Sequence, residues 1–281
     1  MRALRVLSVA GAFRLIDPQP LLGLPRLEEL CLADCVELRS YNAMLDKLYQ
    51  GDLRAANTLR SLDLSGCDLL DPPAPMYLAR NCPELTCLRL RGFQHASSPD
   101  DGLGEILRGS FAAQVIELDL SACSIDAKQF GSAIQQCLSL RRLKAELMPS
   151  LTADDLGDAL ASIRSLEQLH LSNPAASGIR QQSQDDSLRK VIQGCEDTLV
   201  DLSIHGWYGL SSEAVETACM QLTRLQRLDA SWVPSCTAES LRMIMQGCPG
   251  LECLVAVCAG RIDEMQVAHL RRDFPGCRML H

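Results

Sequence analysis

One nine-residue line constrains this chain more than any other feature in it. "LEELCLADC" at 27–35, "LRSLDLSGC" at 59–67 and "VIELDLSAC" at 115–123 share the template L-x-x-L-x-L-x-x-C/N/small. Copies open at Leu4, Leu27, Leu59, Leu85, Val115, Leu140, Leu166, Leu199, Leu225 and Leu251, with 26 residues the commonest spacing. An eleventh begins at "CRML", Cys277 to Leu280. Periods of roughly 20–50 residues mark repeat architectures, in which one unit cannot bury its apolar face alone and stacked neighbours do it together.

The segments between the lines read as helices. In "AESLRMIMQGCPGL" (238–251), Leu241, Ile244 and Met245 recur at helical spacing and Gly247 supplies a stop. "SAIQQCLSL" follows "AKQF" in the same way over 127–140. "TADDLGDALASI" opens on Thr152 as an N-cap with Asp155 three residues on. One strand and one helix per unit makes neighbouring strands parallel. The composition suits this plan: 47% of residues are hydrophobic but only 4% aromatic. Many thin, similar layers are built from leucine, whereas one large core usually recruits more rings.

The line, its period and the helix ends "NCPELTCL" (81–88), "GCPGLECL" (247–254), "QCLSLRRL" (136–143) and "GLPRLEEL" (23–30) resemble the leucine-rich repeat family, in its cysteine-containing subclass. "FPGCRML" at 274–280 is a weaker copy. The resemblance covers essentially the whole chain. It implies an α/β fold: a right-handed leucine-rich-repeat solenoid, or horseshoe, of about ten to eleven repeats, with a parallel concave β-sheet and convex helices. The expectation is a single domain over 1–281 without evident terminal caps, because the chain starts inside one line and ends inside another. Its bare ends then point to neighbouring subunits or to a longer protein.

Fourteen cysteines in 281 residues are too dilute for a disulfide scaffold, and no signal peptide precedes them. A reducing, cytoplasmic setting follows. "MRALRVLSVAGAFRLI" has three arginines before the first acid, Asp17, so mitochondrial targeting is the alternative. However, "LRVLSV" already fits the repeated line. Cys35, Cys67 and Cys123 close their strands, and a small side chain is expected to pack there beneath the turning chain. Cys82, Cys137 and Cys248 lie three residues before an opening leucine, at helix ends facing the core, and Cys195 lies one step out of frame. The five-residue spacing of Cys248 and Cys253 invites a zinc reading, but the repeat frame sends the two thiols to different faces.

No phosphate-binding loop, nucleophile elbow or HExxH pair occurs, and the five histidines are scattered. The expectation is a non-enzymatic chain without cofactor, metal or small-molecule substrate. A net charge of −8 is a poor match for nucleic acid, and no apolar run reaches the length of a membrane span.

A protein partner remains. With strand period two, the template leucines point inward and the residues between them line the concave face. One row reads Ser8, Cys31, Asp63, Arg89, Asp119, Lys144, His170, Ser203, Asp229, Val255, and its neighbour Val6, Glu29, Ser61, Cys87, Glu117, Arg142, Gln168, Asp201, Arg227, Cys253. The candidate partner-binding residues are Asp63, Arg89, Arg91, Asp119, Arg142, Lys144, His170, Asp201, Arg227, Asp229 and Trp232. Neighbouring charges alternate in sign, so internal pairing competes with partner binding. Tyr208, Val255, Val257 and Cys258 add apolar surface near the last strands. Of the two tryptophans there, Trp207 occupies the strand-closing position and reads as core filler, while Trp232, one step earlier, is the better exposed anchor. The insertions at 94–102 and 173–186 follow strands and are expected on the same rim.

The leading reading is therefore a protein–protein interaction scaffold, with a structural subunit of a larger assembly as one form of it. Its partners would sit on the concave face, the strand-exit rim and the solenoid ends. The resemblance offers an alternative, the substrate-recognition module of an F-box type ubiquitin ligase, with the F-box outside this sequence. A small-GTPase regulator is a remote third, since its asparagine ladder is missing apart from Asn173.

Overall fold

The structure, a computed structural model, describes residues 3–38, 57–67, 73–93, 103–107, 110–172, 184–260 and 262–281. Two compact units divide the chain, Met1–Leu140 and Arg141–His281. The first carries β1 (Val6–Ser8), β2 (Glu29–Cys31), β3 (Ser61–Asp63), β4 (Cys87–Arg89) and β5 (Glu117–Asp119), and the second β6 (Arg142–Lys144), β7 (Gln168–His170), β8 (Asp201–Ser203), β9 (Arg227–Asp229), β10 (Cys253–Val255) and β11 (Arg278–Leu280). Inside each unit every strand pairs in parallel with the next one along the chain.

The strands are only three residues long, shorter than the repeated line, and each begins two residues after its opening position. The register is the one the template dictates. Leu30, Leu62, Leu88 and Leu118 stack in the first unit, and Leu143, Leu169, Leu202, Leu228 and Leu254 in the second. All of these are buried, as are the opening leucines Leu59, Leu85, Leu166 and Leu199. Each buried leucine contributes about 2 kcal/mol of transfer free energy, so the wall they form is the main term holding each rung to the next. The eleventh rung lacks an opening leucine, since Gly276 stands there, and Met279 takes the central position.

Helices fill the returns. Gln19–Leu22 (α1) is a single turn, and Pro73–Asn81 (α2) precedes β4. Two short helices, Leu103–Ile106 (α3) and Ser110–Gln114 (α4), stand between β4 and β5 where one was expected. Ala127–Ile134 (α5), Ala153–Leu160 (α6), Asp185–Ile192 (α7), Ser212–Gln221 (α8), Ala238–Gly247 (α9) and Glu264–Asp273 (α10) then alternate with single strands. Their starts follow from side-chain caps: Asp126, Ser211 and Thr237 each accept a backbone N–H, and Thr152 with Asp155 forms the expected capping box. Among the described residues no helix is long and apolar enough to cross a membrane.

Candidate functional site: the strand-exit turn and the open strand face

After β1 to β6 and β8 to β10 the chain makes the same turn. The residue three places beyond the strand donates its N–H to the next rung: Asp34 to Ser65, Gly66 to Arg91, Gly206 to Ser231, Trp232 to Val257. The following N–H then bonds back to the carbonyl one place beyond the strand, as Cys67 does to Leu64 at 3.3 Å and Trp207 to Ile204 at 3.2 Å. Closing this turn requires a left-handed backbone at the third residue. Gly11, Gly66, Gly92 and Gly206 adopt it with φ between 67° and 80°, which glycine does at no steric cost. Asp34, Ala122, Leu147, Trp232 and Cys258 adopt it as well, with φ between 51° and 58°. For a residue with a Cβ such a conformation costs about 1–3 kcal/mol.

The residue that follows is buried, apart from half-buried Ala12, and, where it can, closes a second hydrogen bond. Cys35 donates its thiol to the Val9 carbonyl at 3.4 Å, Cys67 to Leu32 at 3.2 Å and Cys123 to Leu90 at 3.1 Å. Trp207 takes the same place in the second unit: it is 0% exposed, and its Nε1–H reaches the Leu171 carbonyl at 3.2 Å. The cysteines were expected to act as small filler. The structure gives them a further role, as donors to a carbonyl of the preceding rung, and an indole can replace them because it too is an apolar body with one donor. Burial pushes the thiols of Cys67 and Cys123 up to about 12. Before the strands a matching row exists, in which Thr58, Gln114 and Thr198 donate to the carbonyls of Leu27, Leu85 and Leu166.

The helix-end cysteines behave as the frame predicts. Cys82, Cys137, Cys195 and Cys248 are buried, and Cys195, despite its shifted spacing, donates to the Ile163 carbonyl at 3.2 Å. Burial raises Cys82, Cys137 and Cys236 to about 12. Cys248 is a buried helix-end thiol, while Cys253 is half-buried in β10. Among the described residues no three His, Cys, Asp or Glu side chains gather as a metal group.

On the open face the structure shows which candidates stand together. In the first unit Arg89 lies between two carboxylates, with Nε 2.9 Å from Glu117 Oε1 and Nη1 3.9 Å from Asp63 Oδ2. Asp63, Asp119 and Asp229 each stabilise their own turn by accepting the N–H two residues on, from Ser65, Ser121 and Ser231, at 2.9–3.0 Å. In the second unit His170 is flanked by Glu146, 3.9 Å from Nδ1, and by Asp201, 3.3 Å from Nε2. Arg227 approaches Asp201 at 3.7 Å and directs Nη1 to the Cys253 sulfur at 3.5 Å. Alternating charges on neighbouring rungs therefore do pair internally. Arg91 and Lys144 are exposed and make no side-chain hydrogen bond or ion pair with a described residue, while Arg142 is exposed but engaged. Trp232 is 45% exposed and stands on the second unit's exit rim with exposed Leu147, Tyr208, Val257 and Cys258. The insertion at 94–102 lies outside the described residues, as does 173–186 up to residue 183.

The left-handed row is a feature that the repeat template does not contain. Its trace in the sequence is the glycines at 11, 66, 92 and 206, all three places beyond a strand; that spacing was there to be found.

No family model matches the chain. Among solved structures it is similar to a chain in the crystal structure of the Rad7 and Elc1 complex in yeast, at 15% identity and a TM-score of 0.55, over 98% of this chain and 80% of that one. A leucine-rich repeat-containing protein, LegL7, from Legionella pneumophila matches at 18% identity and TM-score 0.47 over 72% and 67% of the two chains. An internalin from Listeria monocytogenes matches at 14% and 0.48 over 94% and 70%. Parallel three-residue strands returned by helices, with a leucine wall behind an open strand face, are the fold that the repeated line implies, and the likeness to the chain of the Rad7 and Elc1 complex supports it.

Proposed function

We propose that this chain is a non-enzymatic protein-binding scaffold whose partner lies on the open strand face and exit rim of Arg141–His281. One observation carries the reading. Leu147, Trp232 and Cys258 are exposed, occupy a turn position that glycine fills elsewhere, and hold it at a cost in backbone strain. Large apolar side chains there gain the free chain little, because their burial is partial and the backbone strain offsets it. A partner that covers them supplies the missing gain, and tryptophan is the residue most enriched in binding hot spots. The candidates Asp63, Arg89, Arg91 and Asp119 belong to the first unit's face and are proposed as secondary contacts. Arg142, Lys144, His170, Asp201, Arg227 and Asp229 surround the primary one.

Membership in a multiprotein assembly is supported by likeness of fold to a chain found in the Rad7 and Elc1 complex. A substrate-recognition role in a ubiquitin ligase is the narrower form of the same proposal, and rests on the cysteine-containing helix ends. All fourteen cysteines are free thiols, the state a cytoplasmic, reducing compartment maintains.

The test is affinity purification of the tagged chain at native expression level, with Trp232→Gly alongside. Glycine suits the left-handed turn, so the variant keeps the fold while removing the anchor. The expected result is a stoichiometric protein partner with wild type that is lost from the variant. Wild type running alone as a stable monomer overturns the proposal.

A further inference from the structure

The open face of Arg141–His281 is layered by charge. Its cations, Arg142, Lys144, Arg227 and Arg278, are all exposed. Its carboxylates, Glu146, Asp201 and Asp229, are all half-buried. Asp201 is held against His170 and Arg227, Asp229 caps the Ser231 N–H, and Glu146 faces His170. Lys144 and Arg278 have no ion pair with any described residue. An approaching molecule therefore meets positive charge first, on a protein whose net charge is −8.

The same face ends in apolar surface. Val255 and Leu280 stand in register on β10 and β11, and the exit rim adds Trp232 and Val257. Five intervals of parallel strand, from β6 to β11, span about 24 Å, the reach of about seven extended residues. Opposite-sign charge on the partner would steer it to this face, and an apolar anchor would hold it there.

Building on the scaffold reading, we propose that the partner presents an acidic extended segment carrying a large apolar or aromatic residue. Its carboxylates meet Lys144 and Arg278, and its anchor packs on Trp232. A nucleic acid fits less well, because three half-buried carboxylates share the face with the cations and the whole chain, at a net charge of −8, repels a continuous polyanion.

Selection of a random twelve-residue peptide display library on the full chain at low salt tests this. Enriched peptides are expected to be net negative with one aromatic or large aliphatic residue. Their affinity should fall about tenfold in the Lys144→Glu/Arg278→Glu double variant and about tenfold between 50 and 500 mM salt. Trp232→Gly should weaken them comparably, with the circular-dichroism spectrum unchanged and unfolding still a single cooperative transition. Enrichment of basic or neutral peptides that still depend on Trp232 overturns the acidic preference and leaves the scaffold reading standing. Peptides indifferent to Trp232, Lys144 and Arg278, or no enrichment at all, overturn both. A single-stranded twelve-nucleotide DNA probe binding as tightly as the peptides, with the same loss in the double variant, replaces the peptide with a polyanion and overturns the proposal.

Discussion

Both units write the same exit turn, and they fill it differently. In Met1–Leu140 the left-handed place holds Gly11, Asp34, Gly66, Gly92 and Ala122, and the buried place after it holds three cysteines and Phe93. In Arg141–His281 the left-handed place holds Leu147, Gly206, Trp232 and Cys258, followed by Met148, Trp207, Val233 and Ala259. The charges on the open faces differ as well. The first unit sets Glu29, Asp63, Glu117 and Asp119 against Arg89 and Arg91, whereas the second sets four exposed cations against three half-buried carboxylates. The first unit fills the turn with glycine, aspartate and alanine, none of which places a large apolar side chain there. The second departs from them where the departure exposes apolar side chains, which is why the proposed binding function is assigned to the second.

Truncations of the leucine wall, among the largest effects, should ignore this contrast. Leu118→Ala and Leu202→Ala remove equivalent leucines from the two walls, and each should cost about 2–5 kcal/mol in denaturant unfolding. A several-fold disparity between them would show that the rungs are not equivalent layers. Next comes the strand-closing donor. Trp207→Ala should cost about 3–5 kcal/mol, from a large void and a carbonyl left without its donor, against about 1–2 kcal/mol for Cys123→Ala. Equal costs would mean that volume is unimportant at this place.

Alkaline pH probes the buried thiols. The thiols of Cys67, Cys82, Cys123, Cys137 and Cys236 are raised from 9.0 to about 12 by burial. Between those values the native state keeps protons that the unfolded chain has released, so stability is fully present below pH 9 and falls as pH rises toward 12. The denaturant midpoint should drop steadily from pH 8.5 to 10.5. A flat profile would mean that these thiols are not desolvated. The smallest effect is reciprocal. Gly92→Trp, at a position with open space around a Cβ, should destabilise by about 1–3 kcal/mol through backbone strain alone. Trp232→Gly should leave stability within about 1–2 kcal/mol of wild type, as strain relief offsets lost burial. Were Trp232→Gly to unfold the chain, the indole would be core and the contrast between the units would collapse.

Much of this was legible in the letters. The opening residues fixed which positions of all but the last strand face the core, because a period-two strand settles this once one of them is known, although the strands proved only three residues long. Parallel register followed from strand–helix alternation, and the capping box at Thr152 from two residues at the right spacing. Trp207 and Trp232 were separated by one step in the repeat frame, which was enough to place one inside and one at the surface. The two short helices before β5 were not legible, since nothing in the period announces a break.

The sequence by itself determined the rung: which residues form its wall, where its strand lies and where its helix starts. Those are properties of local spacing and side-chain size. Tertiary structure decided what happens between rungs. Only stacking shows that a cysteine and a tryptophan serve the same carbonyl row and that His170 stands between two carboxylates, and only the folded turn shows that Asp63, Asp119 and Asp229 cap the N–H two residues on. These contacts join residues about one repeat apart or depend on a backbone angle, and neither distance nor φ is written in the order of the letters. The exposure of Trp232 on a left-handed turn is of the same kind: the repeat frame gave its place, and the stacked rungs gave its strain and its surface.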